Sequence, residues 1–130
     1  MASPHGSKWI RKRSRWAIYL RDGYRCLYCD LDLLTADAVA TLDHLTPKSR
    51  SKTPYNGANN LVTACYECNT LRGAQNWRHF IEASADPADV EAIVKRITRH
   101  RRRKIHRYRE LAARVLDDSD PLTLIDALED

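Results

Sequence analysis

Cys26-Leu27-Tyr28-Cys29 and, beyond a gap of 35 residues, Cys65-Tyr66-Glu67-Cys68 decide how this chain folds. Two thiolates separated by two residues turn back to present both sulfurs to one tetrahedral Zn²⁺, and a second such pair completes a closed four-thiolate site. All the cysteines of the chain, four in number, are then used. The enclosed segment is longer than a compact zinc ribbon holds, so a small subdomain folds inside the loop that the metal closes. Two disulfides or redox-active thiols are the rival readings. Met1 to Trp16 has no apolar h-region and no cysteine lies outside the pairs, which favours the metal and an intracellular, cytoplasmic setting. No apolar run approaches the length of a bilayer span, so no membrane partner is expected.

The 130 residues fit one domain, but 8% aromatic and 30% charged residues leave a thin core. Bound zinc supplies folding free energy that burial does not. The net charge of +5 is unevenly spread. Residues 1 to 25 hold seven Lys/Arg against Asp22 alone, and residues 95 to 114 hold ten against Glu110 alone, while the last sixteen residues carry six acids and no base. Two basic arms around a metal core point to a polyanionic partner, nucleic acid before membrane. A solvated helix face is the rival reading of either arm.

Outward from the cysteines, Lys8 to Leu20 reads as a helix with Trp9, Trp16 and Leu20 on one core-facing side and Arg11, Lys12 and Arg15 projecting elsewhere. Asp22-Gly23 breaks it and delivers the chain to Cys26. Val39 to Leu42 is a short strand ending at Asp43-His44, and Pro47 to Asn59 is a loop. Leu61 to Thr63 is a second strand, and Tyr66 to Arg72 a short helix stopped by Gly73. Pinned by zinc, these elements make a ββα unit.

The same unit carries an acid, an imidazole and carboxamides. Hydrolysing a phosphodiester needs a deprotonated water in line with the leaving oxygen, charge relief at phosphorus and help for the departing alkoxide. Neutral imidazole is a suitable base near pH 7, so His44 is the candidate to take the proton. Asp43 offers a hard carboxylate and Asn69 a neutral oxygen, a set that suits one Mg²⁺ or Mn²⁺ with open positions. Asn69 and Arg72, three apart, share a helix face, which would bring a guanidinium to the metal-bound phosphate. Adjacent strand residues point to opposite sides, so the strand must end, bend or bulge for Asp43 and His44 to serve one phosphate.

Arg21-Asp22-Gly23-Tyr24-Arg25-Cys26-x-x-Cys29, then Leu42-Asp43-His44-x-x-Pro47-x-Ser49, then Asn60-Leu61-Val62-x-x-Cys65-x-x-Cys68-Asn69-x-x-Arg72-Gly73 resembles an HNH endonuclease of the ββα-metal class. Within that class it is similar to the four-cysteine, zinc-stabilised branch whose third signature residue is Asn. The resemblance covers roughly residues 15 to 75. It implies Asp43 and Asn69 as metal ligands, His44 as general base and Asn60 as the residue that braces the loop and the base. It also implies DNA as substrate, taken here as double-stranded, with 5′-phosphate and 3′-hydroxyl products. One departure stands out. The glycine pair usual between the strands is absent, and Lys52-Thr53-Pro54-Tyr55-Asn56-Gly57 replaces it.

The overall expectation is an α+β, mostly helical chain: a zinc-stapled ββα-metal core with flanking N-terminal and C-terminal helices. Residues 1–7 form a disordered lead, 8–75 the N-terminal helix and nuclease core, and 76–130 a helical extension that packs on the core or clamps DNA. Trp77, Phe80 and Ile81 have the spacing to cover the zinc subdomain. Asp86-Pro87 and Asp120-Pro121 open helices. The apolar period falters at His100 to Arg103, so one long helix and two helices hinged near Arg101 both satisfy the pattern. Phosphate contacts are expected from Arg11, Lys12, Arg15, Lys48, Arg72, Arg101, Arg102, Arg103 and Lys104, with one structural Zn²⁺ and one catalytic Mg²⁺ or Mn²⁺ as cofactors. A ββα site cuts one strand, so double-strand cleavage calls for a homodimer or two successive events. The alternative from another class is a zinc-stapled DNA-binding module without turnover.

Overall fold

The computed structural model describes residues 9–36, 38–51, 54–118 and 121–129. The expected disordered lead, the Lys8 helix start, Lys52 and Thr53 at the start of the stretch that replaces the glycine pair, and the Asp120 cap lie outside them. The architecture is α+β and mostly helical. Helix α1 (Lys12–Arg21) precedes strand β1 (Ala40–His44), two single 3-10 turns (Lys48–Arg50 and Ala58–Asn60) and strand β2 (Leu61–Cys65). Helices α2 (Tyr66–Arg72), α3 (Trp77–Ser84), α4 (Val90–Arg102), α5 (His106–Asp117) and α6 (Pro121–Glu129) follow.

The two strands pair antiparallel in continuous register, from Ala40 opposite Cys65 to His44 opposite Leu61. Every residue of β2 is buried. Such a run does not alternate because both faces of the sheet are covered, here by α1 and α4 as well as α2. β1 ends at His44 without a bulge, so of the three expected devices the strand end is the one used. Helix α2 occupies the predicted residues. Cys65 caps it through its Sγ, which accepts from the Cys68 amide at 3.4 Å. Gly73 terminates it at φ +53°, ψ −127°, a conformation open to glycine and strained for other residues.

Helix α1 is apolar on two sides because it divides two clusters. Ile18 and Tyr19 enter the core built around Cys26, Leu27, Leu42, Val62 and Phe80, which Ile93 and Ile97 of α4 complete. Ala17 and Leu20 meet Ala112 of α5 and Ala127 of α6 in a second cluster. The alanines let α5 lie close along α1. The extension is therefore joined to the core through α1 and α4. Arg96 of α4 adds a polar strap, donating to the Leu27 carbonyl at 2.9 and 3.1 Å.

Two expectations change. The first helix begins at Lys12, so Trp9 is not on its core face; Trp9 precedes it, 38% exposed, and its ring lies against His44. Arg15 does not project to solvent. It is buried, its Nη1 donating to the Tyr19 hydroxyl at 3.2 Å and its guanidinium covered by Trp9 at 5.4 Å. Between one long helix and two, the chain forms two, breaking at Arg103 where the backbone turns extended. The break falls where consecutive cations repel and the apolar stripe lapses.

Candidate active site and metal centre

The sulfurs of Cys26, Cys29, Cys65 and Cys68 lie within 4.8 Å of one another, with Cys29 and Cys65 3.9 Å apart. A tetrahedral Zn²⁺ with bonds near 2.3 Å sets sulfurs about 3.8 Å apart, so the cluster fits that ion. The Cys26 thiol is pulled down to about 5, first by its hydrogen bond with Cys68, while the same contact pushes Cys68 up. Burial pushes Cys29 up to about 11. Four thiols this close cannot all ionise on their own, and a soft divalent cation removes the conflict.

The first cysteine pair also builds the neighbouring cleft. Tyr28, between the two cysteines, packs edge-to-face on Phe80 with ring centroids 5.3 Å apart, and its hydroxyl donates to Asp43 Oδ2. Arg72 Nη1 donates to Asp43 Oδ1 at 2.6 Å. Asp43 is thus fixed by one residue of the zinc knuckle and one of α2. It is buried, and burial outweighs the nearby guanidinium and hydroxyl, holding its carboxyl above the ordinary range. A carboxylate in that position gains from any further cation in the cleft.

The cleft, of about 560 Å³, is lined by Asp43, His44, Asn69 and Arg72 together with Trp9, Arg50, Tyr55 and Trp77. Asn69 donates through Nδ2 to Thr41 Oγ1 at 3.0 Å and to the Leu42 carbonyl at 3.3 Å, which leaves Oδ1 as its accepting end. Asp43 uses two of about four lone-pair sites on its protein partners. These hard oxygens fit a Mg²⁺ or Mn²⁺ that keeps open positions. His44 is half-buried, and burial holds its imidazole below its ordinary range, so the ring is neutral near pH 7. Its ring stacks on Tyr55 at 4.0 Å and 6°, and Nε2 lies 2.9 Å from Asn56 Oδ1.

Asn60 is 1% exposed, its Oδ1 accepting from the Thr46 amide at 2.9 Å and its Nδ2 donating to the Thr46 and Tyr55 carbonyls at 3.0 Å each. It thereby ties both ends of the interstrand loop. Arg72 does not offer its guanidinium to a phosphate as the helix spacing suggests. It is buried and donates to Asp43, to the His44 and Leu45 carbonyls at 2.6 and 3.1 Å and to the Gln75 carbonyl at 3.0 Å. The reason is the strand end: carbonyls past the last ladder pair need donors, and the forked guanidinium supplies several.

Of the remaining expected phosphate contacts, Arg11, Lys12, Lys48, Arg102, Arg103 and Lys104 are exposed. Arg101 is half-buried and donates to the Asn59 carbonyl at 2.7 Å, fastening the α4 end to the interstrand loop. Sequence reasoning missed Trp9, Tyr28, Tyr55 and Asn56. For Tyr55 and Asn56 there was a signal, the replaced glycine pair. Tyr28 had none beyond its place inside a cysteine pair.

Residues 26–75 match the HNH endonuclease family. That segment contains all four cysteines and Asp43, His44, Asn60, Asn69 and Arg72, and the match suggests a nuclease or DNA-binding role. Comparison with curated proteins and with solved structures finds no match. Among the described residues no helix is long and apolar enough to cross a membrane.

Proposed function

We propose that the protein is a metal-dependent HNH endonuclease that hydrolyses double-stranded DNA, leaving 5′-phosphate and 3′-hydroxyl ends. The observation that carries this reading is the convergence of Asp43, His44 and Asn69 on one cleft at the end of β1, inside the segment that matches the family. Asp43 and Asn69 would hold one Mg²⁺ or Mn²⁺, which when bound supplies charge relief at the phosphate and at the departing oxygen. The rest of the reaction falls to side chains. Neutral His44 takes a proton from the attacking water, whose oxygen bonds to phosphorus as the P–O3′ bond breaks; the 3′ oxygen leaves with the bonding pair and takes a proton from solvent water to end as the hydroxyl. Arg72 and Tyr28 fix Asp43, and Asn60 holds the loop beside the base. Zn²⁺ at the four cysteines has a structural part only, since four thiolates leave it no open position.

Exposed Arg11, Lys12, Lys48, Arg102, Arg103 and Lys104 are assigned to the DNA backbone, where contacts position the protein without reading bases. Arg101 is assigned to the fold. A plasmid relaxation assay with Mg²⁺ tests the whole. Wild-type protein should nick or linearise supercoiled DNA, and His44→Ala should not. Binding without any cleavage, in Mg²⁺ and in Mn²⁺, would replace the nuclease with the DNA-binding module.

A further inference from the structure

The interstrand loop carries no glycine pair, and what stands there instead reaches the candidate base. Pro54, Tyr55, Asn56 and Gly57 form a turn closed by the Gly57 amide donating to the Pro54 carbonyl at 2.8 Å. Gly57 suits its place because a Cβ there would meet that carbonyl oxygen at 2.9 Å. The two central residues of the turn both contact His44. Tyr55 lies parallel to the imidazole, 4.0 Å between centroids, and Asn56 Oδ1 sits 2.9 Å from Nε2. The turn is itself anchored, because buried Asn60 donates to the Tyr55 carbonyl.

We propose that Tyr55 and Asn56 are positioning residues for His44: the stacked ring sets the plane of the imidazole, and the carboxamide oxygen sets its tautomer. A carbonyl oxygen accepts only, so the ring proton belongs on Nε2 and the basic lone pair on Nδ1. The bracing role of Asn60 then has a route to the base, through the Tyr55 carbonyl and the turn. A loop with two glycines could make neither contact. What the lone pair does rests on the nuclease reading; which nitrogen bears it does not.

Asn56 is exposed, so removing its side chain leaves the fold intact and makes it the residue to test. Zinc-loaded, full-length protein with ¹⁵N-labelled histidine should give His44 ring signals of a single Nε2–H tautomer. In Asn56→Ala they should move towards the tautomer average, with an accompanying fall in kcat of about 10- to 100-fold, the usual scale for a group that orients a reacting ligand. KM for DNA should stay the same. Asn56→Asp, which keeps the acceptor, should recover both the ring signals and kcat. Unchanged ring signals in Asn56→Ala would overturn the proposal, as would a raised KM with kcat intact, which would make Asn56 a DNA contact. Wild-type protein that cleaves nothing would defeat the nuclease reading, and the ring signals would still decide the positioning one.

Discussion

Among the described residues two Arg–Asp pairs are buried, Arg21–Asp22 and Arg72–Asp43, and they do opposite work. Arg21 and Asp22 are adjacent in sequence and their side chains are wholly inaccessible. Arg21 donates to Asp22 at 2.8 Å and to the Ala58 and Leu61 carbonyls, while Asp22 accepts from the Thr63 amide at 2.8 Å. This pair touches only protein and fastens α1 to the loop and to β2. Arg72 and Asp43, 29 residues apart, bridge α2 and β1 with the same chemistry but line the open cleft. A buried ion pair alone indicates neither stability nor catalysis. The lesson is that the surroundings decide: the Arg21–Asp22 pair is enclosed on every side, by backbone groups and by the His100 imidazole 3.7 Å from Asp22, and acts as a fastener, whereas the Arg72–Asp43 pair opens on a cleft and is the candidate site.

The largest expected effect removes the frame that both pairs depend on. Stripping Zn²⁺ should abolish cooperative unfolding seen by circular dichroism, because structural zinc contributes on the order of 10 kcal/mol to small domains. Mild EDTA that spares the zinc should stop cleavage reversibly, and added Mg²⁺ should restore it, with one zinc per chain by elemental analysis. A folded, active sample without zinc would sink this assignment.

Next come the two pairs themselves. Asp22→Ala leaves Arg21 charged and enclosed and should cost about 3–5 kcal/mol in urea denaturation. Asp43→Ala likewise leaves a buried guanidinium unpaired and should destabilise too, but in addition it should raise the Mg²⁺ half-saturation point of cleavage, which Asp22→Ala should not. If the two variants show the same phenotype, the division between fastener and site fails. His44→Ala, beside the cleft pair, should lower the cleavage rate about 10²- to 10⁴-fold while DNA affinity and melting temperature hold. A near wild-type rate would remove His44 as the base.

A smaller change sharpens the cleft pair. Tyr28→Phe keeps the ring against Phe80 and deletes only the hydroxyl on Asp43, so a loss of about 1.5–3 kcal/mol is expected from denaturant unfolding. Smallest is replacement of Arg102, Arg103 and Lys104 by Gln, which should weaken DNA binding uniformly across sequences. It should also flatten the log-log salt slope by roughly 0.9 per lost contact. An unchanged slope with altered sedimentation would make the α4–α5 junction an oligomer contact.

Elements whose signals are local were legible in the sequence. The cysteine spacing, helix Tyr66–Arg72 with its Gly73 stop and the strand end at His44 all follow from period or punctuation within a few residues, whereas the lapse in period at His100 to Arg103 left one helix and two both open. Asp43, His44 and Asn69, singled out from the sequence as candidate acid, base and carboxamide, line one cleft. What escaped was arginine and aromatic placement. A long guanidinium stem serves solvent or buried carbonyls equally well, and only the tertiary surroundings of Arg15 and Arg72 select the second. Trp9 likewise read as a helix-face core residue, because nothing near it in sequence reveals a ring across the cleft.

On the nuclease reading proposed above, the uninterrupted register of β1 on β2 would make cleavage a proofreading mark for folding. Side chains alternate along a strand, so sliding β1 by a single position would exchange the sides to which Asp43 and His44 point. The carboxylate would then leave Arg72 and Tyr28, and the imidazole would leave Tyr55 and Asn56. Misregistered chains should therefore lack activity altogether, and the fraction of a refolded preparation that turns over would count the correctly zipped molecules directly.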